Sequence, residues 1–194
     1  MERAVFLDRD GVLIKDVNLL TRFDDIHILE SVPAALWKLK AVGFKLIVIS
    51  NQSVVARGLL SEQDVCMLQT EIERLLRKAG SPDLDGFYFC PHHPNATLKS
   101  YRVVCECRKP RSGLLLQAAK EHDLILSTSI VIGDRITDII AGKGVVCRTV
   151  LVQTGKHLSA PIETVEPIDE SVIADYVCKD LMEAVEWILK RFVM

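Results

Sequence analysis

No apolar run in this 194-residue chain approaches the ~20 residues of a membrane-spanning helix, which excludes a helical membrane anchor within it. The first residues carry Glu2, Arg3, Asp8, Arg9 and Asp10 where a secretory signal would carry an apolar core, so a cytoplasmic protein is expected. Positive charge is not in excess either: 24 Lys and Arg against 26 Asp and Glu leave a formal net charge of −2. Surfaces for nucleic acid or anionic lipid normally need a basic surplus, so neither partner is expected. Six cysteines are too dilute for a disulfide scaffold in a chain of this length. There is no internal repeat, and 49% hydrophobic with 26% charged residues argues against disorder. The expectation is one globular domain over residues 1–194, working as a monomer on a small molecule.

Short apolar runs at Ala4 to Leu7, Lys45 to Ile49, Gly86 to Phe89, Ile130 to Ile132, Thr149 to Val152 and Ala174 to Val177 alternate with amphipathic segments. That alternation predicts an α/β fold with a parallel sheet. Ser31 can cap a helix with Pro33 in its first turn and Gly43 beyond its end, the apolar positions Val32, Leu36, Leu39 and Val42 recurring at helical spacing. A second helix opens at Ser61 and buries Val65, Leu68, Ile72, Leu75 and Leu76; others start near Ser112 and after Asp180. The tract from Gly155 to Ser171, with Pro161 and Pro167, reads as a surface loop.

The first strand ends in Asp8-Arg9-Asp10-Gly11. A carboxylate at the carboxyl end of a parallel strand stands where open α/β sheets bind ligands, and it can attack phosphorus while a neighbour two residues on exchanges protons with the leaving oxygen and with water. A solvated turn is the plainer reading of that string alone. Three later segments weigh against it. Ser50-Asn51-Gln52-Ser53, followed by Arg57, puts hydroxyl and amide donors at a second strand end. Arg108-Lys109 puts two cations in a loop, and Asp134, with Asp138 four residues on, closes another strand. Together these supply a nucleophile, an acid/base, a phosphate donor, a cation and a carboxylate for a divalent ion, for which magnesium suits the oxygen donors. Taken singly, Arg108 and Lys109 read as a basic turn and Asp138 as a helix-surface or capping acid.

Cys90-Pro91-His92 and Cys105-Glu106-Cys107 form two chelating pairs. Three thiolates and an imidazole can enclose a tetrahedral zinc ion with no open position, which makes the ion structural; His93 is an alternative ligand. Cys66, Cys147 and Cys178 lie apart and read as small buried hydrophobes, and His27, His122 and His157 have no evident partners.

These motifs, in this order, resemble the haloacid dehalogenase superfamily of phosphatases over about residues 4 to 155. SNQSVVARG, CPHH with CECRKP, GDRITD and TVLVQTG resemble in particular the branch that holds the heptose bisphosphate and histidinol phosphatases. The resemblance implies a Rossmann-like doubly wound sheet, with Asp8 as nucleophile, Asp10 as acid/base, and Ser50 and Lys109 stabilising the phosphoryl group. It implies Mg2+ on Asp8, the Asp10 main-chain carbonyl and Asp134, and Zn2+ on Cys90, His92, Cys105 and Cys107. Substrate contacts, to a small phosphorylated sugar, fall to Asp16, Val17, Asn18 and Leu19, to Ser50, Asn51, Gln52 and Ser53, and to Arg108, Lys109 and Arg135, with Arg57 a weaker candidate after the two arginines. The chain departs from that pattern at Leu19-Leu20, Ser50, Val54 and Val146, the last standing where the family carries glycine. Residues 11 to 49 and 51 to 107 leave no room for a large cap domain, so loops, the zinc loop 90–107 among them, should cover the site. A phosphate-accepting receiver domain, also built on an aspartate, a hydroxyl and a lysine, has no use for Asp10 or the zinc loop. A non-enzymatic zinc scaffold would leave the carboxylates without a role.

Overall fold

The computed structural model describes residues 2–156 and 171–192. The apolar runs, too short for helices and rich in β-branched residues, form β1 (Arg3–Leu7), β2 (Phe44–Asn51), β3 (Gly86–Cys90), β4 (Ile130–Gly133), β5 (Arg148–Val152) and β6 (Tyr176–Cys178). All pair in parallel in the order β3-β2-β1-β4-β5-β6. Parallel neighbours need crossovers, and these carry α1 (Val32–Ala41), α2 (Ser53–Ala56), α3 (Glu62–Lys78), α4 (Gly113–Glu121), α5 (Ile136–Lys143) and, after β6, α6 (Leu181–Phe192) closes the fold. The winding reverses between β1 and β4, and the crevice beyond their carboxyl ends is the place where such a sheet holds a ligand.

Side chains alternate along each strand, which divides the core into two layers. Val5, Leu7, Leu46, Val48, Ile130 and Ile132 join Leu36 and Leu39 of α1, Ile72 of α3 and Val185 and Ile188 of α6. Ala4, Phe6, Ile47, Ile49 and Val131 join Leu114, Leu115 and Ala118 of α4 and Ala141 of α5. Burial on both faces is why the central strands read as continuous apolar runs instead of alternating ones. Between β1 and α1 the chain forms bends, isolated bridges and one short turn of 3-10 helix at Phe23–Asp25, with no cap domain.

Several expectations are adjusted. Two helices, α2 and α5, lack a sequence signal: α2 is a single turn, and α5 has only eight residues, several of them β-branched. What starts α5 is the Asp138 carboxylate, which accepts the Arg135 N–H at 3.0 Å. Ser31 does not cap α1 through its hydroxyl; its backbone is already helical, and its carbonyl accepts the Ala35 N–H at 3.0 Å. Ser61 and Asp64 do form a reciprocal capping box on α3, at 3.1 and 2.8 Å. Cys66 is exposed, because it follows Val65 on α3 and falls outside the Val65, Leu68, Ile72, Leu76 stripe, whereas Cys147 and Cys178 are buried. His122 has a partner after all, the Tyr88 hydroxyl 3.1 Å from its Nε2. The last strand lies at Tyr176–Cys178, displaced toward the C-terminus from the expected run. Residues 157–170 of the expected loop, His157 among them, lie outside the described residues. No helix among the described residues is long and apolar enough to cross a membrane.

Candidate active site

Asp8 prolongs the β1–β4 ladder by one residue, its N–H donating to the Ile132 carbonyl at 2.9 Å. The chain must then turn away at once. Gly11 does so at φ +87°, where a Cβ would stand 2.6 Å from an Asp134 oxygen, so both the backbone conformation and the close approach call for glycine. Asp134 follows β4, and Ser50, the last residue but one of β2, lies beside them, buried. Three adjacent strands thus deliver Asp8, Asp134 and Ser50 to one crevice.

Lys109 enters from the loop before α4. Its ammonium donates to Asp8 Oδ1 at 2.7 Å and the Ile49 carbonyl at 2.8 Å, and pairs with Asp138 Oδ1 at 2.6 Å, which uses its three donors. Burial alone would lower its pKa, but the Asp138 and Asp8 carboxylates outweigh it and hold the lysine charged well above its ordinary range. Asn51 fixes the lysine backbone: its side-chain carbonyl accepts the Lys109 N–H and its amide donates to the Lys109 carbonyl, both at 3.1 Å. Asn51 was expected to meet substrate, yet both ends of its amide are committed to the Lys109 loop.

Burial also raises the Asp8 pKa, against the pull of Lys109. Asp134 is pushed up to about 8, first by burial and then by the Asp8 and Asp138 charges. Its Oδ2 accepts the Lys156 N–H at 2.6 Å, while Oδ1 is buried with no hydrogen-bond partner among the described residues. Asp8, Asp134 and Asp138 each present an oxygen within 4.8 Å of the others. Crowded carboxylates with an orphaned oxygen fit a hard divalent cation. Asp138 is already engaged at both oxygens, by Lys109 and by the Arg135 N–H, so the donors that suit an ion belong to Asp8 and Asp134. Asp138 is therefore more than the surface or capping acid expected: it caps α5, is buried, and steadies the lysine. Its only sequence signal is its position one helical turn beyond Asp134.

Beyond these residues opens a cavity of about 140 Å³. Asp10, Asp16, Asn18, Leu19, Ser50, Asn51, Gln52 and Ser53 line it, as do the cations Arg57, Arg108, Lys109 and Arg135. Val17 does not; it packs on the main core layer. Arg108 donates to the His92 carbonyl at 3.0 Å, and burial lowers its pKa. Arg135 faces Asp16 at 3.5 Å. Arg102 and Arg111 turn back on their own loop, to the Ala96 carbonyl and to Glu106.

The metal-ligand candidates of the 90–107 loop come together. Cys107 Sγ lies 3.1 Å from Cys90 Sγ, 3.2 Å from Cys105 Sγ and 3.3 Å from His92 Nδ1, and Cys90 lies 3.5 Å from Cys105. The hydrogen bond shared by Cys90 and Cys107 lowers the Cys107 pKa to about 5 and raises that of Cys90. Four soft donors so disposed could hold a metal ion. His93, the alternative ligand, is buried at the cavity wall instead, its Nδ1 accepting the Asn95 N–H at 3.2 Å.

Comparison with known proteins agrees with this geometry. The chain is 42% identical over 160 residues to D-glycero-β-D-manno-heptose-1,7-bisphosphate 7-phosphatase of Pasteurella multocida, covering 82% of this chain and 86% of the relative. It belongs to that phosphatase family. The Haemophilus influenzae member is 40% identical over 98% of each chain. The family model described as HAD-hydrolase-like matches residues 106–184. The D,D-heptose 1,7-bisphosphate phosphatase of B. bronchiseptica, solved with magnesium and phosphate, superposes with a TM-score of 0.79 at 28% identity, over 97% of this chain and 98% of that one. A family of phosphatases accounts for a strand-end aspartate faced by a buried lysine.

Proposed function

We propose that the chain removes the 7-phosphate of D-glycero-β-D-manno-heptose 1,7-bisphosphate through an aspartyl-phosphate on Asp8. The observation that carries this reading is Asp8 at the switch point of the sheet, with the Lys109 ammonium at 2.7 Å and Asp134 alongside. The Asp8 carboxylate attacks phosphorus as the bond to the sugar oxygen breaks, and Asp10 gives that oxygen a proton, so the sugar leaves as a neutral alcohol. Asp10 then takes a proton from the water that attacks the aspartyl-phosphate, which releases inorganic phosphate and restores Asp8. The Ser50 hydroxyl donates to a phosphoryl oxygen, and the Lys109 charge, held beside Asp8, offsets the negative charge of the transferring group. Bound Mg2+, held by Asp8, the Asp10 carbonyl and Asp134, would supply positive charge to the transferring group.

Zinc suits the Cys90, His92, Cys105, Cys107 set, because donor separations of 3.1 to 3.8 Å approximate the edges of a tetrahedron with metal–ligand bonds of about 2.0–2.3 Å. With every position filled by protein, its role is to fix the loop that presents Arg108 and Lys109. We read residues 1–194 as one phosphatase domain.

The relatives' names point to a bisphosphate, and the cavity supports one: Arg57, Arg108 and Arg135 line it beyond the lysine, and guanidinium forks suit a phosphate that stays behind. Histidinol phosphate would instead bring an ammonium, for which Asp16 is poorly placed because it already faces Arg135 and Lys156 at 3.5 and 3.4 Å. Phosphorus NMR on the heptose bisphosphate should show the 7-phosphate lost and the 1-phosphate kept, with kcat/KM above that for histidinol phosphate. Faster turnover of histidinol phosphate would remove the substrate assignment and leave the phosphatase.

A further inference from the structure

Arg9, the residue between the two aspartates, is one of the largest fully buried side chains, at 1% exposure. A buried guanidinium is costly unless its bonds serve a purpose. Among the described residues its side-chain bonds go to two residues only: Nε donates to Asp10 Oδ2 at 3.0 Å, Nη2 donates to Asp10 Oδ1 at 3.3 Å and to Gln52 Oε1 at 2.8 Å, and Nη1 is buried with no partner. Gln52, itself buried, turns its amide the other way, donating to Asp10 Oδ2 at 3.1 Å and to Ser50 Oγ at 2.7 Å. None of these contacts joins one element of the core to another. They run from one residue of the active cavity to the next.

We propose that Arg9, braced by Gln52, is the positioning residue for proton transfer at Asp10. This rests on the reading of Asp10 as acid/base. The fork and the Gln52 amide together give Oδ2 two bonds at 3.0 and 3.1 Å, which leaves Oδ1, with its single longer bond, as the oxygen that carries the proton. With the guanidinium bonded to both oxygens and the Gln52 amide to Oδ2, the carboxyl is held against rotation, so Oδ1 stays directed for transfer to the leaving oxygen and, after departure, for acceptance from water. Gln52 has a second effect. Because its N–H donates to Ser50 Oγ, the hydroxyl proton is left to point at a phosphoryl oxygen. The same residue thus sets the acid and the phosphate donor from one side, and Gln52 acts through them, not on the sugar.

General-acid help matters in proportion to how poorly the leaving group departs unaided. The test measures kcat/KM for wild type, Arg9→Met, Arg9→Lys, Asp10→Asn and Asp8→Asn on a series of aryl phosphates from p-nitrophenyl to phenyl, with the heptose bisphosphate as the alkyl end. Misplacing the acid should leave p-nitrophenyl phosphate within about threefold of wild type while lowering the alkyl ester about tenfold to a hundredfold, and Asp10→Asn should be selective in the same sense and more severe. Arg9→Lys, which keeps the charge but cannot span both oxygens, should fall between; if Arg9→Met does not fold, its selectivity alone decides. A loss equal for all esters in the Arg9 variants, with Asp10→Asn still selective, would overturn the role of Arg9 and leave the acid assignment intact. An unselective Asp10→Asn, or an active Asp8→Asn, would instead overturn the mechanism on which the inference stands.

Discussion

Removing one guanidinium from the cavity wall should separate recognition from chemistry, since Lys109 and Asp8 face the reacting phosphoryl group whichever ester is bound. Arg108→Ala should lower kcat/KM for the bisphosphate about tenfold to a hundredfold, as expected for one charge-assisted bond worth roughly 1.5–3 kcal/mol, and spare a simple monophosphate. Equal loss on both would show that Arg108 acts through the loop, not on the retained phosphate. Val146 makes a second prediction at this scale. It is 72% exposed and sits at φ +56°, a left-handed conformation that costs a β-branched residue about 1–2 kcal/mol. Val146→Gly forfeits little burial, and its melting temperature should rise by about 1–4 °C; an unchanged or lower value would mean that the strain is relieved in solution. Asp8 and Asp10 could be singled out in the sequence because they follow a strand in a recognisable string, and Lys109, in a loop, because the other motifs left a cation's role to fill. Arg9, Asp138 and the true use of Asn51 could not be. Their meaning depends on partners supplied 43, 29 and 58 residues away, and a single string gives no sign of which charged residue will be buried.

Among the elements, strands declared themselves as short apolar runs and the long helices by period, and their apolar residues became the core: Val65, Leu68, Ile72 and Leu76 of α3 and Leu181, Val185 and Ile188 of α6 are buried, while Leu75, also expected inside, is half-buried against them. The short α5 did not, because its stability comes from the Asp138 cap and from packing of Ile139 and Ala141, which periodicity over eight residues cannot reveal. The clustering of Cys90, His92, Cys105 and Cys107 was legible from ligand chemistry without any secondary structure. The role of zinc there makes a prediction: wild type should carry about one zinc per chain, and Cys107→Ser should lose most of it together with stability, with activity falling because Arg108 and Lys109 follow directly. Mild chelation of the wild type should be reversed by magnesium. If added zinc, and not magnesium, restored turnover in a chain that had stayed folded, the two metals would have exchanged roles.

For the whole molecule, the winding order decides where chemistry can occur. β1 and β4 are neighbours although more than a hundred residues separate them, and only that pairing brings Asp8 beside Asp134 and opens the crevice that Lys109 closes from the side. Parallel topology was legible from alternation, and the doubly wound order from resemblance; the juxtaposition of four segments on one cavity follows from the order and not from any segment. The claim that most depends on it is covalent catalysis at Asp8. Acid quenching during turnover, then borohydride reduction and peptide mass spectrometry, converts an aspartyl-phosphate to homoserine at the residue that carried it. The account predicts homoserine at position 8, dependent on substrate and missing from an Asp8→Asn chain. Homoserine at another aspartate, or continued turnover by Asp8→Asn, would contradict it.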